Sequence, residues 1–155
     1  RNWKKADRKG HRLAGFFTCL NALNPAPLNI ISHSMGNRVF QGLWVKTGGS
    51  LRLDKVILAA PDLDGDIFSR DFATLPAGCK RIVIVKHDKD RLLTASRVLL
   101  GRKRLGRNTH IQPPPPNLVL VDATHYATLR HIDMSNHMHF IFSDSVRHQL
   151  HKLSD

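Results

Sequence analysis

Four short apolar segments, separated by helical stretches, constrain the fold of this chain more than any other feature. They are residues 28–31, 55–60, 81–85 and 118–121. The third segment is rich in β-branched residues and almost continuously apolar, which is typical of a parallel strand covered on both faces. Strands that alternate with helices imply crossover connections. We therefore predict an α/β fold with a mostly parallel sheet and helices on both faces.

The stretches between these strands have helical periodicity. We predict helices from about residue 13 to the Pro-containing run 24–27, from residue 36 to Gly48, over 66–75 and over 91–100, and a closing helix for which Ser143 is the N-cap. The proline run 113–116 is predicted to be a stiff connector. Two helices have apolar sides predicted to pack in the core: Leu13, Phe16, Phe17, Leu20 and Leu23 in the first, and Leu92, Ala95, Val98 and Leu99 in the one over 91–100.

A serine stands between the first strand and the helix that follows it. The run Ser32-His33-Ser34-Met35-Gly36 would form a sharp turn there, which is the context that a nucleophile elbow requires. Small residues two positions before and after the serine, Ser32 and Gly36, would let strand and helix approach closely. The alternative is a polar turn that merely closes the strand.

A serine hydroxyl is a weak nucleophile, so acyl transfer needs a histidine base and an acid that orients it. The acid is expected beyond the carboxyl end of a strand. Asp62 and Asp64 follow the second strand, and Asp88 and Asp90 follow the third. Asp90 is preferred because its loop directly precedes a helix, and Asp62 is the alternative. Any of these carboxylates could instead cap a helix or a turn.

Six histidines follow the fourth strand and supply candidates for the base: His125, His131, His137, His139, His148 and His151. The last two lie on the closing helix and are predicted to be exposed. His125 is nearest to the strand end, whereas His137 lies on a loop ahead of the helix, so both stay candidates. His137-Met138-His139 has no third ligand at a suitable spacing, and no metal site is predicted.

The chain is strongly basic, with a formal net charge of +12 from 24 Lys and Arg against 12 Asp and Glu. Such charge attracts polyanions and leaves peripheral contact with an anionic membrane surface open. The basic residues concentrate in 1–12 and 102–107 with few aromatic residues to stack on bases, so nucleic acid is not predicted as the main partner. The two cysteines, Cys19 and Cys79, make no disulfide framework and are predicted to be buried free thiols.

Several motifs together are similar to a known family. They are residues 29–39 around the serine, 57–64 with Phe68, 90–93 with Ser96, and 104–106. Over residues 13–153 the chain resembles a bacterial family of α/β-hydrolase-fold proteins described as uncharacterised esterase/lipase-superfamily enzymes. The resemblance implies an α/β-hydrolase-like sheet that lacks its N-terminal strands here. Residues 1–155 would then be a single α/β-hydrolase domain and the C-terminal part of a longer chain.

The same resemblance implies hydrolysis of small-molecule carboxylic esters, with lipid esters among the candidates, and without a metal or organic cofactor. The family's nucleophile maps to Ser34, its acid to Asp90 and its histidine to His137, and the amide of Met35 would receive oxyanion charge. A thioesterase or amidase with this triad stays open. So does a different class of protein, a non-catalytic basic module that binds an anionic partner. An exposed sheet edge would invite self-association.

Overall fold

Four parallel strands form one sheet in this protein, whose computed structural model describes residues 2–24, 26–107, 111, 113–126 and 135–152. The strands are β1 (Leu28–His33), β2 (Leu53–Ala59), β3 (Cys79–Lys86) and β4 (Leu118–Asp122), and they lie in the order β1-β2-β3-β4. Every neighbouring pair is parallel. All four predicted strands are therefore present, and the predicted α/β fold is confirmed.

One helix precedes the first strand, and others connect the strands or follow the last one. They are α1 (Asn2–Leu23), α2 (Gly36–Lys46), α3 (Gly65–Asp71), α4 (Leu75–Gly78), α5 (Arg91–Leu100), α6 (His139–Phe142) and α7 (Asp144–Lys152). Among these described helices none is long and apolar enough to span a bilayer. Ser143 caps α7 as predicted, because its Oγ accepts from the amide of Val146 at 3.4 Å.

The segment predicted as one helix over 66–75 is two short helices. Pro76 favours the first turn of a new helix, because it has no amide hydrogen to donate to a preceding turn. The chain ends α3 at Asp71 and places Pro76 in the first turn of α4, where the missing hydrogen costs nothing.

The core lies on both faces of the sheet, and β3 contributes to each side in turn. Ile82 and Ile84 belong to one cluster, which α2, α3 and α4 cover with large side chains. Val83 and Val85 face the other way and pack with Val146 of α7. Helices thus cover both faces, as the continuous apolarity of β3 predicts.

Helix α1 packs through a different side from the predicted one. Phe16 is 63 % exposed and Leu23 78 % exposed, so the predicted apolar side was wrong, apart from the partly buried Phe17. The contact with α2 runs instead through small residues. A Cβ atom added to Gly10 would lie 2.1 Å from the Val39 carbonyl oxygen, and one added to Gly42 would lie 2.4 Å from that of Asp7. Both glycines are required because the helix backbones touch.

Two other predictions about burial need correction. On α5 only Leu93 is buried, whereas Leu92, Val98 and Leu99 are exposed. Both cysteines are free thiols, but only Cys79 is buried, and Cys19 is exposed. Burial raises the pKa of the Cys79 thiol to about 11, so this thiol is protonated at neutral pH.

Candidate active site

Ser34 joins β1 to α2 in a conformation that residues other than glycine rarely adopt. Its φ of +52° lies in the left-handed region. The Ser34 amide donates to the carbonyl oxygen of Ala59 at 3.0 Å, so the β1–β2 hydrogen bonds continue up to the turn. At the neighbouring strand end Ala60 also has a positive φ, +41°, and its amide donates to Val85. Sheet hydrogen bonds therefore hold two strained residues at adjacent strand ends.

The side chain of Asn37 holds this turn together. It is fully buried, and its Nδ2 donates to the carbonyl oxygens of Ser34 at 2.9 Å and Ala59 at 3.2 Å. Its Oδ1 accepts from Ser32 Oγ at 2.7 Å. The close approach expected at Gly36 is absent, because an added Cβ atom would meet nothing within 4 Å. Instead, the hydrogen bonds of Asn37 fix the turn. This residue was not singled out from the sequence.

Asn37→Ala is expected to lower the free energy of unfolding by about 2–4 kcal/mol, because it leaves two carbonyl oxygens and one hydroxyl without this partner. Ser32→Ala removes only one of these bonds and should cost about 1 kcal/mol. Urea unfolding followed by circular dichroism measures both. Equal losses would contradict the central role of Asn37.

The preferred acid and one of the two candidate bases form a buried pair. His137 Nδ1 donates to Asp90 Oδ2 at 2.7 Å. Asp90 is completely buried and His137 is 5 % exposed. The other carboxylate oxygen, Oδ1, accepts from the Leu93 amide at 2.8 Å and caps α5. One carboxylate thus caps a helix and orients an imidazole, so capping does not prevent Asp90 from having the geometry expected of the acid.

Two hydrogen bonds to backbone carbonyl oxygens bring His137 to Asp90 from far along the chain. The Arg91 amide donates to the Ser135 carbonyl oxygen at 2.9 Å. Asn136 has a φ of +56°, and its Nδ2 donates to the Lys89 carbonyl oxygen at 3.4 Å. Asparagine tolerates the left-handed region better than most residues, so it suits the turn that precedes His137.

His33 places His137 beside the serine turn. Its Nε2 donates to the His137 carbonyl oxygen at 3.1 Å, and the centres of the two rings are 4.8 Å apart. The ring of Phe140 also packs against His33, with the two ring centres 4.7 Å apart. Because His33 directly precedes Ser34, the acid–histidine pair lies at the end of the sheet that carries the serine.

The alternative acid, Asp62, pairs with arginines. Its Oδ1 accepts from Ser96 Oγ at 2.7 Å and lies 3.2 Å from Arg104 Nε, and its Oδ2 lies 3.8 Å from Arg38 Nε. Asp64 caps α3 through its bond with the Asp66 amide. Asp64 therefore has the capping role that was its alternative, whereas Asp62 has ion pairs that were not predicted.

Asp88 also has a structural partner. Lys86, the last residue of β3, lies 2.9 Å from Asp88 Oδ1 and 2.7 Å from Asp122 Oδ2. Burial opposes the charge of Lys86, but its bonds with these two carboxylates outweigh burial and raise its pKa. For Asp122, burial is likewise outweighed, by hydrogen bonds with Lys86 and Thr124, and its pKa falls to about 2. This network ties together the carboxyl ends of β3 and β4. The Asp90 loop starts from the end of β3.

Three of the remaining candidate bases have described side chains, and none of these three is bonded to a candidate acid in the described part of the chain. His125 is exposed in the turn after β4, and no hydrogen bond or ion pair in the described part of the chain joins it to Asp90 or Asp62. His148 and His151 are exposed on α7, as predicted. His131 lies outside the described residues, as does the side chain of His139, whose backbone begins α6. Within the described ranges, no three His, Cys, Asp or Glu side chains are grouped to hold a metal ion.

A cavity of about 300 Å³ opens beside the residue after the serine. Met35 and Gly36 line it together with residues of α1 and α2, namely Lys5, Ala6, Lys9 and Val39. The Met35 amide has no hydrogen-bond acceptor among the described residues. It stands at the start of α2, where the helix dipole favours negative charge. The end of the sheet therefore combines a serine, a buried acid–histidine pair and an amide donor.

A parallel sheet, a serine in a left-handed turn between strand and helix, and an acid–histidine pair at the same sheet end are features of the α/β-hydrolase class. Residues 6–152 match the family of alpha/beta hydrolases of unknown function, DUF900, and the chain belongs to this family. The predicted resemblance to an uncharacterised α/β-hydrolase family is thus confirmed. No curated protein and no solved structure matches the chain.

Proposed function

We propose that the protein is a serine hydrolase that cleaves carboxylic esters through an acyl-enzyme on Ser34. One observation carries the proposal: the buried hydrogen bond of 2.7 Å between His137 and Asp90, at the sheet end that bears Ser34. Membership of an α/β-hydrolase family supports hydrolysis as the reaction class. Our proposal adds two things to this reaction class, namely the serine nucleophile and the ester substrate.

In the first half of the reaction, Ser34 Oγ attacks the ester carbonyl carbon. Asp90 holds the Nδ1 proton of His137, so Nε2 is the ring nitrogen that takes the serine proton. The carboxylate stabilises the imidazolium that forms, and the Met35 amide donates to the oxyanion. The carbon–oxygen bond of the alcohol then breaks, and His137 returns its proton to the leaving alcohol.

In the second half, water attacks the acyl group on Ser34. His137 takes a proton from this water and returns it to Ser34 Oγ as the acid product leaves. Complete burial of Asp90 strengthens its attraction to the imidazolium that forms in each half of the reaction, because charges interact more strongly where water is excluded. Thioesters and amides could enter the same cycle with a different leaving group.

A fluorophosphonate probe tests the nucleophile, since it phosphonylates activated serines. We expect labelling of the wild-type protein at Ser34, located by peptide mass spectrometry, and no labelling of Ser34→Ala. The matched control is Ser50→Ala, which removes an exposed hydroxyl bonded to the Thr47 carbonyl oxygen and should keep the label. Label that persists in Ser34→Ala would reject the proposed nucleophile. Salt-dependent binding of a polyanion without labelling would favour the basic binding module.

A further inference from the structure

Two buried arginines near the serine have no part in the mechanism above. Arg38 and Arg104 are 4 % and 2 % exposed, and both pair with Asp62. The loop that carries Arg104 is held against the end of β2: the Leu105 amide donates to Leu63 at 2.8 Å, and the next amide donates to Pro61 at 2.9 Å. The position of Arg104 is therefore fixed by the backbone.

Both arginines line a cavity of about 180 Å³, together with Ile67, Leu100 and Arg102. Arg38 lies on the first turn of α2, four residues after Ser34. The Asp62 amide donates to the Ser34 carbonyl oxygen at 3.4 Å, so the residue that pairs with both arginines also contacts the serine turn. Sites for whole small-molecule ligands have volumes of about 300–1,000 Å³. This cavity is smaller and suits one group of a substrate.

The cavity wall is cationic. Three guanidinium groups line it, and no carboxylate belongs to its described lining. Among the described residues, Arg104 Nη2 has no hydrogen-bond partner, although this side chain is almost completely buried. A buried donor without an acceptor is costly, so Nη2 needs an acceptor that these residues do not supply.

Arg104 is cationic, because arginine is not deprotonated in proteins. Burial lowers its pKa, Asp62 raises it, and Arg38 lowers it, with a net fall below the ordinary value of arginine. Asp64 lies 3.9 Å from Arg102 Nη1, and Asp7 of α1 interacts with Arg38 while burial raises its own pKa. None of these carboxylates belongs to the described lining of the cavity.

We infer that this cavity is a subsite for an anionic group of the substrate, a carboxylate or a phosphate. The paired N–H donors of a guanidinium group match the paired oxygens of a carboxylate or a phosphate. Ile67 and Leu100 would contact the short hydrocarbon segment of the substrate beside its anionic group. A neighbouring groove that shares Arg102 and Arg104 also contains Asp64 and Asp66, which would repel an anion. The assignment of an ester substrate rests on the proposed function, whereas the anion subsite can be tested without turnover.

Calorimetric titration of the full chain carrying Ser34→Ala tests the subsite directly, with succinate and inorganic phosphate as probes. We expect at least one anion to bind, with affinity about ten- to a hundredfold lower after Arg104→Gln, as for loss of a hydrogen bond to a charged group. Lys103→Gln removes the same charge from an exposed neighbour outside this cavity and should change affinity less than threefold. No binding of either anion, or equal losses in the two variants, would overturn the inference.

If succinate binds, the p-nitrophenyl monoester of succinate should be preferred to neutral p-nitrophenyl butyrate. The ratio of their kcat/KM values should fall about ten- to a hundredfold in Arg104→Gln. Arg102→Gln is the second variant, because its side chain is 62 % exposed and its loss does not endanger folding. An unchanged ratio in both folded variants would overturn the subsite. If anion binding depends on Arg104 but the fluorophosphonate probe does not label Ser34 in the wild-type protein, the serine nucleophile is rejected and the subsite is retained.

Discussion

His137→Ala is expected to lower kcat/KM for a p-nitrophenyl ester by about four to six powers of ten, the cost of removing the general base from a serine triad. The structural reason is that His137 is the histidine paired with a buried carboxylate, through its 2.7 Å bond with Asp90. Steady-state kinetics on protein shown to be folded by circular dichroism measures the loss. Added imidazole should restore part of the rate, because it can occupy the space left beside His33 and Phe140.

The control for this experiment is the other candidate base. His125→Ala removes an exposed histidine that follows β4, and kcat/KM should stay within about twofold of the wild-type value, as is usual for surface substitutions. A large loss in His125→Ala with little loss in His137→Ala would transfer the role of the base. Rescue by imidazole separates a chemical role from a structural one, since imidazole cannot repair a misfolded site.

The strands could be predicted from sequence because each is a short apolar run between turn residues. The sides of the helices were harder to predict, and α1 shows why. Its large apolar residues have the spacing of a core-facing side, yet the helix turns Gly10 toward Gly42 of α2. Periodicity reports which residues are apolar, whereas the packing of α1 depends on how closely two backbones can approach. That distance is a property of the pair of helices.

The candidate site could be predicted in outline for a related reason. Parallel strands bring their carboxyl ends to one sheet edge, so Ser34, Asp62 and Asp90 had to lie on the same side of the molecule. The choice between Asp62 and Asp90 depends on contacts between distant segments. Asp62 pairs with Arg104, whereas Asp90 pairs with His137. The turn at Asn136 that allows the second pair has no periodic pattern in the sequence that would predict it. Sequence analysis therefore left two acids and two bases open.

Asp90→Asn is expected to lower kcat by about 10⁴ with little effect on stability. Asparagine can still cap α5, because its Oδ1 can accept from the Leu93 amide as that of Asp90 does at 2.8 Å. Its amide group would face His137 Nδ1, however, and would favour the tautomer that carries its proton on Nε2. That tautomer cannot take the proton from Ser34. Ester kinetics and urea unfolding on the same preparation measure the two effects.

Asp62→Asn should give the opposite pattern. It leaves Arg38 and Arg104 buried beside a neutral side chain, and breaking a buried ion pair typically costs about 3–5 kcal/mol. The free energy of unfolding should fall by this order, while kcat for a neutral ester falls by less than about tenfold in the folded enzyme, because the described partners of the Asp62 carboxylate are Ser96, Arg38 and Arg104. If Asp62→Asn instead abolished turnover and Asp90→Asn did not, Asp62 would be the acid. Since the two substitutions are chemically identical, only the position of each carboxylate can separate their effects on rate and stability.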